Sequence, residues 1–266
     1  MLSFVSKEKY DIHDFRKILE LLRGEGGCPW DSVQTHESIR RNMLEEAYEA
    51  VAAIDSGDKE NLLEELGDVQ MQVLFHARME EEVGSFDFDD VCDAAVRKLL
   101  FRHPHVFGDV TVGNAEEALA SWDAMKRREK SQKSTTKAMT DVAETLPALW
   151  RAEKIQKKAA KVGFDWPDWR GAREKVAEEL AELDEAIESG EGIAEEMGDL
   201  LAACVNMARL LDIDPEQALH GSCERFIQRF DKMESAAESR GSSLESLSLD
   251  EQEALWQEAK QQLKSE

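Results

Sequence analysis

One acidic pattern occurs twice in this chain, and it limits the possible folds more than any other feature of the sequence. Each occurrence holds two pairs of carboxylates, and the two members of each pair are three residues apart. The pairs are Glu46 with Glu49, Glu65 with Asp68, Glu179 with Glu182, and Glu196 with Asp199. The second occurrence follows the first by 131 to 133 residues. Such a repeat indicates two copies of one domain of about 130 residues, because this period is too long for a solenoid.

The spacing of apolar residues predicts helices throughout the chain. Phe15, Ile18, Leu19 and Leu22, for example, lie on one face of a helix. No stretch alternates apolar and polar residues for long enough to indicate a strand, and short turns separate the helical segments. We therefore expect an all-α chain built from two repeated helical-bundle domains.

A basic stretch near the middle of the chain indicates where the two domains meet. Residues 126–137 carry six basic side chains and one Glu, together with several Ser and Thr residues. This composition is typical of a linker or a solvated helix end. The sequence predicts a first domain over residues 1–130, a basic linker over 131–146 and a second domain over 147–266.

The charge of the chain excludes several classes of partner. The 57 acidic and 33 basic residues give a net charge of −24, which opposes nonspecific binding to nucleic acid or to an anionic membrane. A small anionic substrate held through metal ions remains compatible with this charge. The longest apolar run, residues 200–205, is far too short to span a membrane. We see no signal peptide and no CxxC pair, so we expect a cytoplasmic protein with reduced thiols.

The carboxylate pairs have the chemistry of a metal site. Residues three apart lie on one face of a helix, and two antiparallel helices would bring both pairs together. Carboxylates without Cys or His are hard ligands that suit Mg²⁺ or Mn²⁺ better than zinc or copper. The simpler alternative is a solvated acidic face, which is common in so acidic a chain.

Two further observations favour the metal site over a solvated face. Gly67 and Gly198 interrupt predicted helices at a cost of about 1 kcal/mol each relative to Ala, and we expect another helix or a metal to approach there. Residues 200–211 contain only two polar side chains, Asn206 and Arg209. This pattern predicts a buried helix opened by the preceding aspartate, where an unpaired carboxylate would be unfavourable.

Taken in order, these motifs resemble the MazG family of nucleoside triphosphate pyrophosphohydrolases. The family pattern is EExxE followed, after one to three dozen residues, by ExxD, and both copies match it. Signatures of the family's two domains are also present. They are Gly27-Cys28-Pro29-Trp30-Asp31 and Arg102-His103-Pro104-His105-Val106-Phe107 in the first copy, and Lys161-Val162-Gly163-Phe164-Asp165-Trp166 in the second. The resemblance covers roughly residues 10 to 262.

The resemblance implies a fold, a reaction and a set of site residues. Each domain would form a four-helix-type bundle completed by dimerisation, and the enzyme would hydrolyse nucleoside triphosphates between the α and β phosphates. The reaction would depend on Mg²⁺, with Mn²⁺ as a possible substitute, tolerate many bases and clear unwanted nucleotides. The eight paired carboxylates would be the metal ligands. Residues at the nucleotide-binding positions are Lys175, Arg225, Arg229 and Trp256 in the second copy, with Lys98, Arg102 and Trp122 at the corresponding places in the first.

The residues themselves give partial support to these roles. Lys175 lies one turn before Glu179 and could reach a phosphate, and Glu178 is a candidate proton acceptor. Arg229 on so acidic a chain could equally form a surface ion pair, and Trp256 could equally anchor the bundle. The first copy has Asn42 where the second has Lys175, so we expect the main active site in the second copy.

The sequence leaves two other functions open. One is a pyrophosphohydrolase of narrow specificity, for a single pyrimidine deoxynucleotide or for phosphoribosyl-ATP. The other is a helical interaction module whose metal sites are structural, or whose first copy serves only dimerisation.

Overall fold

The computed structural model describes residues 4–129 and 134–265. Within those ranges the chain forms twelve α-helices and two short 3₁₀ helices and contains no strand. The prediction of an all-α chain is therefore confirmed. The chain divides into two compact units, Met1–Lys126 and Arg127–Glu266, and the acidic pattern occurs once in each.

The helices of the two units follow the chain in order. The first series comprises α1 Ile12–Arg23, α2 His36–Ser56, α3 Lys59–Glu82, α4 Phe88–Arg102, α5 Pro104–Phe107 and α6 Ala115–Glu129. The second comprises α7 Thr135–Thr140, α8 Ala148–Ala160, α9 Trp169–Ser189, α10 Ile193–Leu210, α11 Pro215–Ser239 and α12 Leu249–Ser265. The 3₁₀ helices are Asp31–Val33 and Leu244–Ser246.

The predicted linker over 131–146 contains a short helix, α7, and a turn that leads to α8. Residues 131–133 of that segment lie outside the described residues, as do residues 1–3 and 130 of the predicted first domain and residue 266 of the second. The proposed domain limits therefore remain predictions.

Each unit contains a helical hairpin, formed by α2 with α3 and by α9 with α10. Gly57 ends α2 with φ 71° and Gly190 ends α9 with φ 75°, a left-handed conformation that glycine adopts without a steric penalty. Asp58 then caps α3 by accepting hydrogen bonds from the backbone N–H groups of Glu60 and Asn61. The turns predicted between the carboxylate pairs thus reverse the chain in both units.

The two units bury different cores. In the first unit the buried cluster contains five apolar side chains from α1, α2 and α3, namely Leu19, Ile39, Leu74, Phe75 and Met79. In the second unit a buried cluster joins α11 to α12 through Met233, Ala237, Leu255 and Ala259. These contacts hold the hairpin in the first unit and the last two helices in the second.

The expectation of a buried helix over residues 200–211 is wrong for the single chain. Asp199 is exposed and lies well inside α10, and only Ala203 and Val205 in this stretch are buried. Leu201 keeps 50% of its surface exposed and Leu211 keeps 44%. The reason is that the described helices of the second unit leave one face of its hairpin uncovered.

None of the described helices combines the length and the apolar character that crossing a bilayer requires.

Candidate active site

The hairpin of the second unit brings three of its four predicted metal ligands together. One carboxylate oxygen from each of Glu179, Glu196 and Asp199 lies within 4.8 Å of the others. Glu179 is buried, with 5% of its surface exposed, whereas Asp199 is exposed. A buried carboxylate beside two others needs a counter-charge, because like charges at this distance repel strongly.

Glu182, the fourth predicted ligand, faces the same place. Desolvation raises the pKa of its carboxyl group, and the negative charge of Glu179, a hydrogen bond with Glu179 and the negative charge of Glu196 raise it further. The ammonium group of Lys175 acts in the opposite direction. The carboxyl group of Glu182 is therefore electrostatically part of the cluster.

Lys175 provides a positive charge at the edge of this cluster. Its Nζ atom lies 2.8 Å from Glu178 Oε1 and 2.6 Å from Glu179 Oε1. Hydrogen bonds to Glu178, and then to Glu179, raise the pKa of the lysine. In this arrangement the ammonium group bridges the predicted proton acceptor and a predicted metal ligand, and the Glu178 side chain remains 58% exposed.

The hairpin of the first unit forms a similar cluster. Carboxylate oxygens of Glu46, Glu49 and Glu65 lie within 4.8 Å of one another, and Glu65 is 9% exposed. Burial raises the pKa of Glu46, followed by the negative charges of Asp68 and Glu49. Burial likewise raises the pKa of Glu65, with Glu49 as the next cause.

The two clusters differ in their positive charge. Asn42 stands in the first unit where Lys175 stands in the second. The neighbouring Arg41 instead forms an exposed ion pair, with its Nε atom 2.8 Å from Glu45 Oε1. The first cluster thus lacks the ammonium group that contacts a buried carboxylate in the second.

The donor atoms of both clusters fit a hard divalent cation. All of them are carboxylate oxygens, which are the ligands that Mg²⁺ and Mn²⁺ prefer. Metals that prefer thiolate or imidazole ligands favour other sites. Burial, and after it the negative charge of neighbouring carboxylates, raises the pKa values of Glu46, Glu65 and Glu182.

The predicted nucleotide-binding residues of the second unit lie mainly on α11 and α12. The guanidinium carbon of Arg229 lies 5.5 Å from the centre of the Trp256 ring. The centre of the Phe226 ring lies 5.0 Å from the centre of the same tryptophan ring. Trp256 also packs against the buried α11–α12 cluster, a contact in keeping with the bundle-anchor alternative. Arg225, one turn before Arg229, is exposed.

The first unit repeats the arginine–tryptophan contact. The guanidinium carbon of Arg102 lies 5.3 Å from the centre of the Trp122 ring, and Lys126 Nζ lies 4.8 Å from it. Lys98, one turn before Arg102, is exposed. The repeat therefore extends to a cation–π pair in each unit as well as the carboxylates.

Sequence reasoning missed an ion pair that fixes the second-domain signature. The guanidinium group of Arg209 binds the carboxylate of Asp165, with one N–O distance of 3.0 Å, and also contacts Asn206 Oδ1 at 2.7 Å. These side chains border a cavity of about 310 Å³ that Phe164 and Trp166 also line. The sequence did show Asn206 and Arg209 as the two polar residues of an otherwise apolar stretch, but it gave no sign of their distant partner Asp165.

A buried arginine fixes the signature loop of the first unit. Arg23 donates to the backbone carbonyls of Asp31 and Gln34 at 2.7 and 3.2 Å. It also forms a bidentate ion pair with the carboxylate of Glu82, with N–O distances of 2.8 and 3.0 Å. Partners 59 residues apart leave no spacing signal in the sequence.

The two mid-helix glycines do not mark a close contact within the chain. A Cβ atom placed on Gly67 or on Gly198 would meet no atom within 4 Å. The described chain therefore brings no other helix against these glycines, and the alternative, a metal that approaches there, stays a prediction.

Comparison with known proteins decides the family. A sequence model of the MazG nucleotide pyrophosphohydrolase domain matches this chain twice, over residues 34–107 and 171–233. This chain belongs to the MazG family. The two matched segments include both carboxylate clusters. MazG enzymes hydrolyse nucleoside triphosphates to nucleoside monophosphates and pyrophosphate and depend on a metal.

Several relatives share most of this MazG chain. A Thermotoga maritima protein named nucleoside triphosphate pyrophosphohydrolase/pyrophosphatase MazG is 43% identical over 91% of this chain and 93% of its own. An Escherichia coli nucleoside triphosphate pyrophosphohydrolase is 44% identical over 92% of this chain and 95% of its own. An uncharacterised Bacillus subtilis protein is 44% identical over 97% of this chain but only 54% of its own.

Proposed function

We propose that this chain is a Mg²⁺-dependent nucleoside triphosphate pyrophosphohydrolase whose main active site lies in the second unit. The observation that carries the proposal is the cluster of Glu179, Glu196 and Asp199 with Lys175 at its edge. The names of the Thermotoga and E. coli relatives support the same reaction.

The carboxylates of the second hairpin would hold the cation, and Glu182 would complete the set. Mg²⁺ bound there supplies charge neutralisation and Lewis acidity toward the phosphates and water. The buried position of Glu179 excludes water from one side of the site, and α9 and α10 fix the direction of the carboxylates. Mn²⁺ has the same ligand preference and would substitute.

The chain's own charges would handle the phosphates and the proton. Lys175 would turn from Glu178 toward a phosphate oxygen, and Arg225 and Arg229 would donate to further oxygens. Glu178, exposed and released by Lys175, would accept the proton of the attacking water. Substrate is therefore expected to displace the ion pair that Lys175 makes in the free enzyme.

Stacking would provide the broad base tolerance that we propose. Trp256 is half-buried, and base stacking on an aromatic ring accepts any base. Such an enzyme would clear unwanted nucleotides from the pool. The first unit has Asn42 at the position that corresponds to Lys175, and this difference favours a structural or regulatory role for the first unit.

We further propose that two copies of the chain associate through their hairpins. Apolar side chains on one face of each hairpin are left uncovered, including Leu63 at 77% exposure and Leu66 at 54%, with Leu180 at 49% and Leu201 at 50% in the second unit. Contiguous exposed apolar surface is typical of an interface. A second copy would also cover the open positions beside Gly67 and Gly198.

A substrate panel tests the reaction. The eight common NTPs and dNTPs are incubated with the enzyme in Mg²⁺ or in EDTA, and the products are separated. We expect the monophosphate and pyrophosphate from several bases in Mg²⁺ and no reaction in EDTA. Release of the diphosphate and orthophosphate would contradict the assigned bond, and turnover of one nucleotide alone would favour the narrow-specificity alternative.

A further inference from the structure

The first unit holds a second polar cluster at the open end of its hairpin, away from the carboxylates. His36 is the first residue of α2, and His76 and Glu80 lie one turn apart on α3. His36 Nδ1 lies 2.7 Å from His76 Nδ1, and His36 Nε2 lies 2.8 Å from Glu80 Oε1. The three side chains thus form a continuous chain of hydrogen bonds.

The two imidazole rings meet edge to edge. Their planes differ by only 5° and their centres lie 5.0 Å apart, which is the separation of two rings in one plane joined through the 2.7 Å N–N contact. The two Nδ1 atoms therefore point directly at each other. A cavity of about 590 Å³ opens beside them, bordered by Glu37 and Arg40 and by the apolar side chains of Met43, Val73 and Phe86.

Comparison of the two units shows that the fold does not require these polar groups. At the repeat offsets of 133 and 131 residues, Trp169 corresponds to His36, while Met207 and Leu211 correspond to His76 and Glu80. Trp169 opens α9 as His36 opens α2. An apolar set thus serves the second unit, so the His–His–Glu cluster is a feature of the first unit alone.

Hydrogen bonding fixes which nitrogen carries each proton. Ionised Glu80 accepts, so Nε2 of His36 donates, and neutral His36 then carries its lone pair on Nδ1. The proton between the rings consequently belongs to Nδ1 of His76. Neutral imidazole is the form of histidine that binds metals.

We propose that His36 and His76 bind a zinc-type transition-metal dication through their two Nδ1 atoms, with Glu80 orienting His36 from behind. A carboxylate that holds the far nitrogen of a ligating histidine is a common arrangement around zinc. On binding, the proton on His76 moves from Nδ1 to Nε2 and both rings stay neutral. Water from the cavity fills the remaining positions of the cation.

The site is distinct in place and chemistry from the carboxylate cluster. Ten residues of α2 separate His36 from Glu46, which corresponds to about 15 Å along the helix. Imidazole nitrogen selects zinc, nickel or copper, whereas the carboxylates select magnesium. Zn–N bonds of about 2.0–2.1 Å require the two rings to turn out of their shared plane, and the 41% exposure of the His36 side chain permits this movement.

Zinc titration of the full chain by calorimetry tests the proposal. Excess Mg²⁺ occupies the carboxylates, and the four free cysteines are alkylated first because thiolates bind zinc. We expect one zinc ion per chain and an affinity at least about 10-fold weaker in His36→Gln and His76→Gln. The matched control is His103→Gln with His105→Gln, a second pair of neighbouring histidines with ring centres 5.5 Å apart, which should bind zinc as the wild type does.

Cobalt spectroscopy of the wild-type chain gives a readout that does not depend on any variant's folding. Nitrogen-coordinated Co²⁺ of low coordination number absorbs more strongly than Co²⁺ held by six oxygens. We expect the stronger spectrum with Mg²⁺ present. Absence of zinc binding, zinc binding unchanged in folded His36→Gln and His76→Gln, or only the weak all-oxygen spectrum would overturn the proposal. None of these outcomes bears on pyrophosphate release.

Discussion

At the scale of single residues, Lys175 is the main difference between the two acidic clusters. It contacts Glu178 and Glu179 in the second unit, whereas the first unit has Asn42 at the matching position. If the Lys175 ammonium group leaves Glu178 to bind a phosphate, it makes two contributions. It offsets the negative charge of the carboxylates in the free enzyme, and it offsets the negative charge of the phosphates once substrate is bound. Its removal should therefore affect turnover and pH dependence together.

We predict that Lys175→Gln lowers kcat/KM by about 10- to 100-fold, the range expected when a charge-assisted hydrogen bond is lost. The acid limb of the pH–rate profile should move to higher pH, because Lys175 lowers the pKa of Glu182 and that effect disappears. Arg173→Gln, an exposed substitution on the same helix, is the control. An unchanged pH profile would remove Lys175 from the site.

The raised pKa values of Glu46 and Glu65 predict how stability depends on pH without metal. Because both are raised above 4.5, the folded chain binds more protons than the unfolded chain between pH 4.5 and the raised values. Stability from these groups is therefore gained as pH falls through that window. In EDTA we expect Glu46→Gln to raise Tm at pH 7.5 relative to wild type and to reduce this pH dependence.

In Mg²⁺ we expect the opposite order of Tm, with wild type above Glu46→Gln. Wild type gains stability from a bound cation, and the variant, with one ligand fewer, should gain less. Scanning calorimetry of both proteins, in EDTA and in Mg²⁺, checks the prediction. A lower Tm for Glu46→Gln in EDTA would mean that the carboxylate makes a favourable contact in the free chain.

At the scale of elements, the hairpins depend on their turn glycines and not on their mid-helix glycines. Gly190 has φ 75°, where an L side chain is strained, whereas Gly198 has open space around its Cβ position. We predict that Gly190→Ala lowers the free energy of unfolding by about 1–2 kcal/mol. Denaturant unfolding measures the change.

Gly198→Ala is the matched substitution on the next helix. Alanine has the higher helix propensity, so it should be neutral or should stabilise a single chain by up to about 1 kcal/mol. Strong destabilisation by Gly198→Ala in a chain that is dimeric would show that a partner lies against this position. Equal effects of the two substitutions in a monomer would contradict the description of the turn.

The hairpins were largely predictable from the sequence, because their signals are local. Carboxylates three apart, turn residues such as Gly57 and Gly190, and apolar residues at helical spacing each act within a few residues of chain. The Asp165–Arg209 pair and the His36–His76 contact join residues about 40 apart, so no spacing could reveal them. The sequence overestimated how far residues 200–211 are buried within the single chain. Apolar composition indicates that a helix face is covered, but it does not say whether the same chain or a second copy covers it.

At the scale of the whole molecule, the uncovered hairpin faces predict association. We expect light scattering to give twice the 30.1 kDa mass of the chain. Leu201→Lys, which puts a charge on a half-exposed apolar position of α10, should shift the equilibrium toward monomer. Leu249→Lys is the control, since Leu249 is 79% exposed and lies outside both hairpins. A monomeric wild type would contradict the proposal.

The most direct test of the account compares the two acidic clusters in one assay. Pyrophosphate release in Mg²⁺ is measured for wild type, Glu179→Gln and Glu46→Gln, with the exposed Glu185→Gln of α9 as the control. We predict a loss in kcat/KM of more than about 100-fold for Glu179→Gln, because direct ligands exceed the 10–100-fold effect of their supporting partners. Glu46→Gln and the control should stay close to wild type. Full activity in a folded Glu179→Gln protein would contradict the assignment of catalysis to the second unit.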